Sequence, residues 1–412
     1  MPSERLRRTV AALVCVAVCG FLAAAVTADD LARRAKKLHF SCIVVDTHDD
    51  TTQRFLDGKF DLGPRNSAGS IDIPRMREGG LGAIFFSIWM PSKITGPEAV
   101  DRALVQIDAI REQVRKHPAD LMLATTAAEV REAHKQGKIA ALMGVEGGHM
   151  INSSLPVLRT YAALGVRYMT LTHSGNDEWA DSSTDKPVHN GLTEFGKDVV
   201  REMNRLGMMV DISHVSDKTF YDALEVSKAP LLASHSSCRA ICDAPRNMTD
   251  QMMKDLAAKG GVIQINYHVG FLSQEFRNAE KSNPELEKAI ADEVHNRCGE
   301  SEGCQLIEGD RITREYVEKG QLPRVSFEKI IEHIDHAVKV AGIEHVGLGS
   351  DFDGANMPYG MEDATKLPAV TEALLQKGYL EGDVRKILGE NTLRLMADVQ
   401  RVSHELNAAT PK

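Results

Sequence analysis

Ile139-Ala-Ala-Leu-Met-Gly-Val-Glu146 is an unbroken apolar run of strand length that ends on a carboxylate. A run apolar on both faces predicts a parallel strand covered on both sides. Five more runs share the pattern, each ending on a group that binds metal or moves protons: Ser41-Cys-Ile-Val-Val-Asp-Thr-His48, Val166-Arg-Tyr-Met-Thr-Leu-Thr-His173, Met208-Met-Val-Asp-Ile-Ser-His214, Pro230-Leu-Leu-Ala-Ser-His235 and His345-Val-Gly-Leu-Gly-Ser-Asp351. Leu81–Ile88 and Gly261–Tyr267 bring the strands to eight. Helical stripes separate most of them, such as Val100, Ala103, Leu104, Ile107, Ile110 and Val114, or Phe327, Ile330, Ile331, Ile334 and Val338. Phe195, Val199, Met203 and Leu206 form another, stopped by Gly207. Eight buried strands alternating with helices predict an α/β fold, a (β/α)8 TIM barrel of the metal-dependent hydrolase type. A doubly wound open sheet is the rival, but no Gly-x-Gly-x-x-Gly follows the first strand.

In a barrel the carboxyl ends of the strands share one mouth, which is where catalytic groups gather. A lone histidine ending a strand is an ordinary hydrogen-bonded core residue; six ionisable groups at equivalent ends predict one site. His48 and Asp50 are two apart and face the same way if the chain stays extended, so they can hold one ion. Glu146 bridges to a second, held by His214 and His235. Imidazole with carboxylate suits zinc, although ligand type alone leaves manganese, cobalt or iron open. The expectation is two Zn2+ per chain, bridged by Glu146 and a water or hydroxide, with Asp351 moving the proton and His173 steadying an oxyanion. Asp353 competes with Asp351, which is preferred because it ends the apolar run directly. Asp46 and Asp211 are read as structural, His149 as shaping a turn, and His39, His117, His134, His333 and His336 as surface residues.

The N-terminus reads as a signal peptide over residues 1–28: Arg5, Arg7 and Arg8 precede an apolar stretch that ends in small residues at Ala28. A retained anchor is the alternative. Cleavage would remove those three arginines and Glu4, moving the net charge from −9 to about −11. The product would be exported, periplasmic or secreted, with no stable membrane anchor. Its acidic, mixed surface argues against nucleic acid and anionic membranes as partners. Residues 29–412 are expected to form a single catalytic domain with an insertion at about 269–340, whose charged stretch Glu285–Arg324 forms helices beside the mouth. Of the cysteines beyond the signal, Cys298 and Cys304 are spaced to close a small loop. Cys238 and Cys242 could pair or stay reduced, and Cys42 reads as a buried thiol in a strand.

Taken together, Asp46-Thr-His-Asp-Asp50, Gly144-Val-Glu-Gly-Gly-His149, Leu171-Thr-His-Ser174, Asp211-Ile-Ser-His-Val215, Ser234-His-Ser-Ser237, Pro245-Arg-Asn247 and Gly349-Ser-Asp-Phe-Asp-Gly354 resemble the membrane (renal) dipeptidase family, peptidase family M19 of the amidohydrolase superfamily. The resemblance runs from about Ile43 to about Val399. It implies a dinuclear zinc dipeptidase acting on L-L and in some members L-D dipeptides, with His48, Asp50 and Glu146 on one ion and Glu146, His214 and His235 on the other. It also implies that His173 contacts substrate, that Asp351 shuttles protons and that Arg246 receives the free carboxylate of the substrate. Ser174 stands where mammalian relatives carry a cysteine, so that family disulfide cannot form. Monomer and homodimer both fit the resemblance. Other activities on the same site are N-acyl-amino-acid deacylase, lactonase and deaminase. A non-catalytic binding protein fits poorly, because every expected ligand type is present.

Overall fold

The computed structural model describes residues 29–58 and 60–409; the expected signal segment lies outside them. Nine strands form one parallel sheet: β1 (Val44–Asp49), β2 (Leu81–Ile88), β3 (Leu121–Leu123), β4 (Ile139–Glu146), β5 (Val166–Thr170), β6 (Met209–Asp211), β7 (Leu232–Ser236), β8 (Val262–Ile265) and β9 (Val346–Leu348). β1 pairs with β9 and β2, and β2 pairs with β4 from Ala83↔Ala140 to Ile88↔Val145, so the sheet closes on itself. The eight strands read from the sequence make the barrel, and the open-sheet alternative is excluded by the β2–β4 closure. The ninth, β3, pairs only with the amino half of β4, from Leu121↔Ile139 to Leu123↔Ala141.

Alternation along the strands divides the apolar residues into two layers. Ile84, Phe86, Ala141, Met143 and Val145 face the surrounding helices. Ala83, Phe85, Ala140, Leu142 and Tyr168 fill the barrel, where Leu393, Met396 and Val399 of helix Asn391–Ala409 join them. The predicted helices form as Gly96–Lys116, Glu194–Leu206 and Glu328–Ala341. In the second, Thr193 accepts a hydrogen bond from the Gly196 N–H, and Gly207 ends the helix at φ 72°, a left-handed conformation that glycine adopts at little cost.

Between β8 and β9 lie helices Val269–Leu272, Gln274–Ser282, Pro284–Cys298 and Glu302–Glu318, followed by Glu328–Ala341 packed on β8 and β9. Helices Pro284–Cys298 and Glu302–Glu318 pack together and are stapled by a Cys298–Cys304 disulfide. The second sits on the loops that follow β1 and β9. Ser301 Oγ donates to Asp57 Oδ1 (3.1 Å), Arg314 donates to the Met357 carbonyl (2.8 Å), and Met357 N–H donates to Asp310 (2.9 Å). Cys42, Cys238 and Cys242 are free and buried, with Cys42 just before β1 rather than within it. No helix among the described residues is long and apolar enough to cross a membrane.

Two sequence expectations need correcting. His39 and His333 are fully buried, not at the surface. His39 bonds Thr371 Oγ1 and the Gly79 carbonyl, both at 2.7 Å. His333 accepts from the Cys238 N–H (3.0 Å) and donates to the Leu272 carbonyl (3.1 Å), tying the connections after β7 and β8 together.

Candidate metal centre

Only His48, Glu146 and His235 of the strand-end groups lie inside strands; His173, His214 and Asp351 each lie three residues beyond β5, β6 and β9. His214 (φ 68°) and Asp351 (φ 66°) turn through the left-handed region, which carries side chains from the strand ends over the mouth. The loops after β1 and β9 are zipped together by Asp351 N–H to the His48 carbonyl (3.0 Å) and Asp50 N–H to the Phe352 carbonyl (2.9 Å). Gly354 lies so close that a Cβ there would fall 1.9 Å from Asp50 Oδ2.

Glu146 is the hub. Its Oε2 lies 3.4 Å from His48 Nε2 and accepts from Ser87 Oγ at 3.1 Å. Its Oε1 lies 2.9 Å from His214 Nε2, 3.3 Å from His235 Nε2 and 3.7 Å from His173 Nε2. His48 Nε2 is also 3.5 Å from Asp50 Oδ1 and 3.9 Å from Asp351 Oδ1. Three groups with metal-ligand geometry result: His48–Glu146–His235, Glu146–His173–His214 and His48–Asp50–Asp351. The structure thus brings together all five predicted metal ligands, with His173 and Asp351 at the rim of the same cluster.

The residues fit a divalent-cation centre. His48 Nε2 and Asp50 Oδ1 are buried with no hydrogen-bond partner among the described residues. The hydrogen bonds also assign a tautomer. Ser234 Oγ donates to Asp211 Oδ2 (2.6 Å), so its oxygen accepts from His235 Nδ1–H (2.8 Å), and His235 Nε2 turns a lone pair to the site. Asp211 is satisfied, as a structural residue should be: its Oδ1 also accepts from the Ser234 and Ser213 N–H groups. Asp46 Oδ1 accepts from the Ser350 N–H at 2.8 Å. On the other side of the hub, His48 Nδ1 meets the Tyr168 hydroxyl at 2.8 Å. Tyr168 reaches it only because Gly144 lies below the ring, where a Cβ would fall 1.9 Å from the phenol carbon.

The field of the site favours a cation. Burial alone would raise the Glu146 carboxyl, but His48, His173, His214 and His235 pull it well below the usual range. Burial holds the His214 and His235 imidazoles well below theirs, hence neutral. Against its own burial, His48 is raised by Tyr168, Glu146 and Asp50, and the last two set carboxylate oxygens beside its Nε2. Burial, then the neighbouring Asp50, pushes Asp351 up to about 6. Asn266 Nδ2 donates to Asp351 Oδ2 (2.9 Å). Asp353 is committed elsewhere, to Arg54 Nη1 (3.1 Å) and Thr51 Oγ1 (2.8 Å).

Arg246, 5% exposed, donates through Nη2 to the His235 carbonyl (3.1 Å), while its Nε and Nη1 are buried without partners. Burial lowers it to about 10, leaving it charged at neutral pH. It shares with His214 a cavity of about 870 Å3. His149 is buried beside Gly147, with Nδ1 3.9 Å from Asp177 Oδ1. Ser174 Oγ lies 3.3 Å from Ser92 Oγ. Sequence reasoning missed Ser87, Tyr168 and Asn266, which orient Glu146, His48 and Asp351.

A model of the membrane dipeptidase family (peptidase family M19) matches residues 32–410. The chain belongs to the membrane dipeptidase family. It is 34% identical over 393 residues to dipeptidase 3 of Homo sapiens and likewise to that of Macaca fascicularis, covering 93% of this chain and 70% of each relative. Among solved structures it resembles the probable dipeptidase PvdM from Pseudomonas aeruginosa, with TM-score 0.77 and 26% identity over 91% of this chain and 99% of that one. It also resembles a metallo peptidase from Rhodobacter sphaeroides liganded with a phosphinate mimic of the dipeptide L-Ala-D-Ala. There the TM-score is 0.72 with 27% identity over 87% of this chain and 99% of that one. Membrane dipeptidases are metal-dependent peptidases, so the enzyme class is metallo-dipeptidase.

Proposed function

We propose that the protein is an exported dinuclear zinc dipeptidase that hydrolyses L-L and L-D dipeptides. The observation that carries this reading is the single carboxylate of Glu146 standing between two ligand sets, His48 with Asp50 and His214 with His235. The phosphinate mimic of L-Ala-D-Ala held by the Rhodobacter sphaeroides relative supports a D-residue at the carboxyl position. Export rests on the charged, apolar and small-residue pattern of residues 1–28.

When bound, two divalent ions supply Lewis acidity and lower the pKa of water. The protein's own groups do the rest. Arg246 turns its unpartnered Nε and Nη1 to the substrate carboxylate, a fork geometry that a longer peptide, with an amide there, does not satisfy. Asp351, oriented by Asn266, takes the proton of the attacking water and returns it to the leaving amine. His173, whose ring packs 5.6 Å from that of Trp89, donates to the developing oxyanion.

Two measurements test this. The purified protein should contain about two zinc ions per chain, as a two-metal site requires, and a chelator should abolish activity; one stoichiometric ion, or full activity without metal, overturns the reading. Arg246→Ala should raise KM sharply for dipeptides and hardly for neutral esters or lactones. Equal losses on both substrate types would remove Arg246 from carboxylate recognition.

A further inference from the structure

The cavity of about 870 Å3 above the site holds more positive charge than one substrate carboxylate needs. Arg246 and His214 lie at its inner end, and Lys186, Arg277, Phe271 and Asp185 around it. The three cations come from three different connections: Lys186 after β5, Arg246 after β7, and Arg277 on helix Gln274–Ser282 after β8. The one acid of the lining, Asp185, already accepts from the Asn176 N–H (3.1 Å) and the Lys186 N–H (2.7 Å), while Glu280, one turn along the same helix, offsets Arg277 in part. Against that one acid the lining sets three cations.

Arg277 is half-buried and braced. Its Nε donates to the Asp243 carbonyl (3.1 Å), and its two terminal nitrogens have no hydrogen-bond partner among the described residues. Lys186, an exposed residue of the same lining, has no ion pair among them either. Phe271, with the Arg246 guanidinium 5.4 Å from its ring centroid, offers an apolar wall for side-chain methylenes. A dipeptide anchored by its main-chain carboxylate on Arg246 therefore lies in a chamber with two further cations and an apolar wall.

Building on the dipeptidase reading, we propose that Arg277 and Lys186 read a second carboxylate, so that dipeptides with Asp or Glu at the carboxyl end are preferred substrates. A braced guanidinium with free terminal nitrogens binds a carboxylate through charge-assisted bonds, and a neutral amide of the same shape forfeits that charge. Because Lys186 is exposed, part of the preference is screened by salt.

The test compares isosteric pairs: kcat/KM for Ala-Asp against Ala-Asn and for Ala-Glu against Ala-Gln, with Ala-Ala as reference, in both configurations of the second residue. The acid should exceed its amide by about tenfold, the size of one charge-assisted bond. The ratio should fall toward one in Arg277→Gln, fall partway in Lys186→Gln, and shrink as salt is added to the wild-type enzyme. An acid-to-amide ratio at or below one in the wild type overturns the proposal, as does a ratio that neither substitution moves. Should Ala-Ala be hydrolysed in those cases, the dipeptidase reading stands and only the second-carboxylate site falls. If no dipeptide is hydrolysed, both fall.

Discussion

Asp351 is held by its surroundings near the pKa that a base working at neutral pH needs. Burial and Asp50 place it at about 6, so the ionised, proton-accepting form grows as pH rises through that value. The expected outcome is a kcat/KM that climbs between about pH 5 and 7, steepened in acid by protonation of the histidine ligands. Asp351→Asn should lower kcat by about 10²- to 10⁴-fold with little change in bound metal; metal analysis beside steady-state kinetics checks both. Tyr168 acts one step further out. Tyr168→Phe removes the hydroxyl that meets His48 Nδ1 and should weaken metal binding by about 10- to 100-fold while the fold persists. Unaltered metal retention against a chelator would count against that role. The five candidate ligands were legible in the sequence because His, Asp and Glu at the ends of apolar runs are costly unless used. Tyr168, Ser87 and Asn266 were not, since Tyr and Ser inside strands look like strand formers. Only closure of the barrel puts the Tyr168 phenol beside a histidine 120 residues earlier in the chain.

The elements show the same division. Eight strands were readable from unbroken apolar runs, but β3 was not, because Leu121–Leu123 is too short for periodicity to register. His333 was misread although the signal was present. It lies beside Ile330 and Ile334 on the buried stripe of helix Glu328–Ala341. Burial pushes its imidazole down to about 4, which sets a sign for stability against pH. The unfolded chain takes up the proton near 6.5 and the folded chain resists it, so stability present at pH 7 is lost as pH falls toward 4. The loss is about 3 kcal/mol by linkage. Urea denaturation at pH 7 and pH 4.5 should show a smaller pH difference in His333→Gln than in the wild type; equal differences would discount the histidine. Gly144→Ala belongs here too. It drives a methyl into the Tyr168 ring, and the expected result is a lower melting temperature together with weaker metal binding.

For the whole molecule, metal and fold are linked. Ions bound only by the folded chain raise the melting temperature by mass action, so stripping metal should lower it and zinc should restore it. A melting temperature unmoved by chelation would mean that the cluster is assembled without its ions. The barrel also orders events in time. His48 belongs to the first strand and Asp351 follows the last, and the loops bearing them are joined by a hydrogen bond from Asp351 N–H to the His48 carbonyl. Nearly the entire polypeptide must therefore be synthesised before the mouth can exist. A chain that stops before β9 lacks Asp351 and one of the two strands that flank β1, so it carries the candidate ligands without the proposed proton carrier.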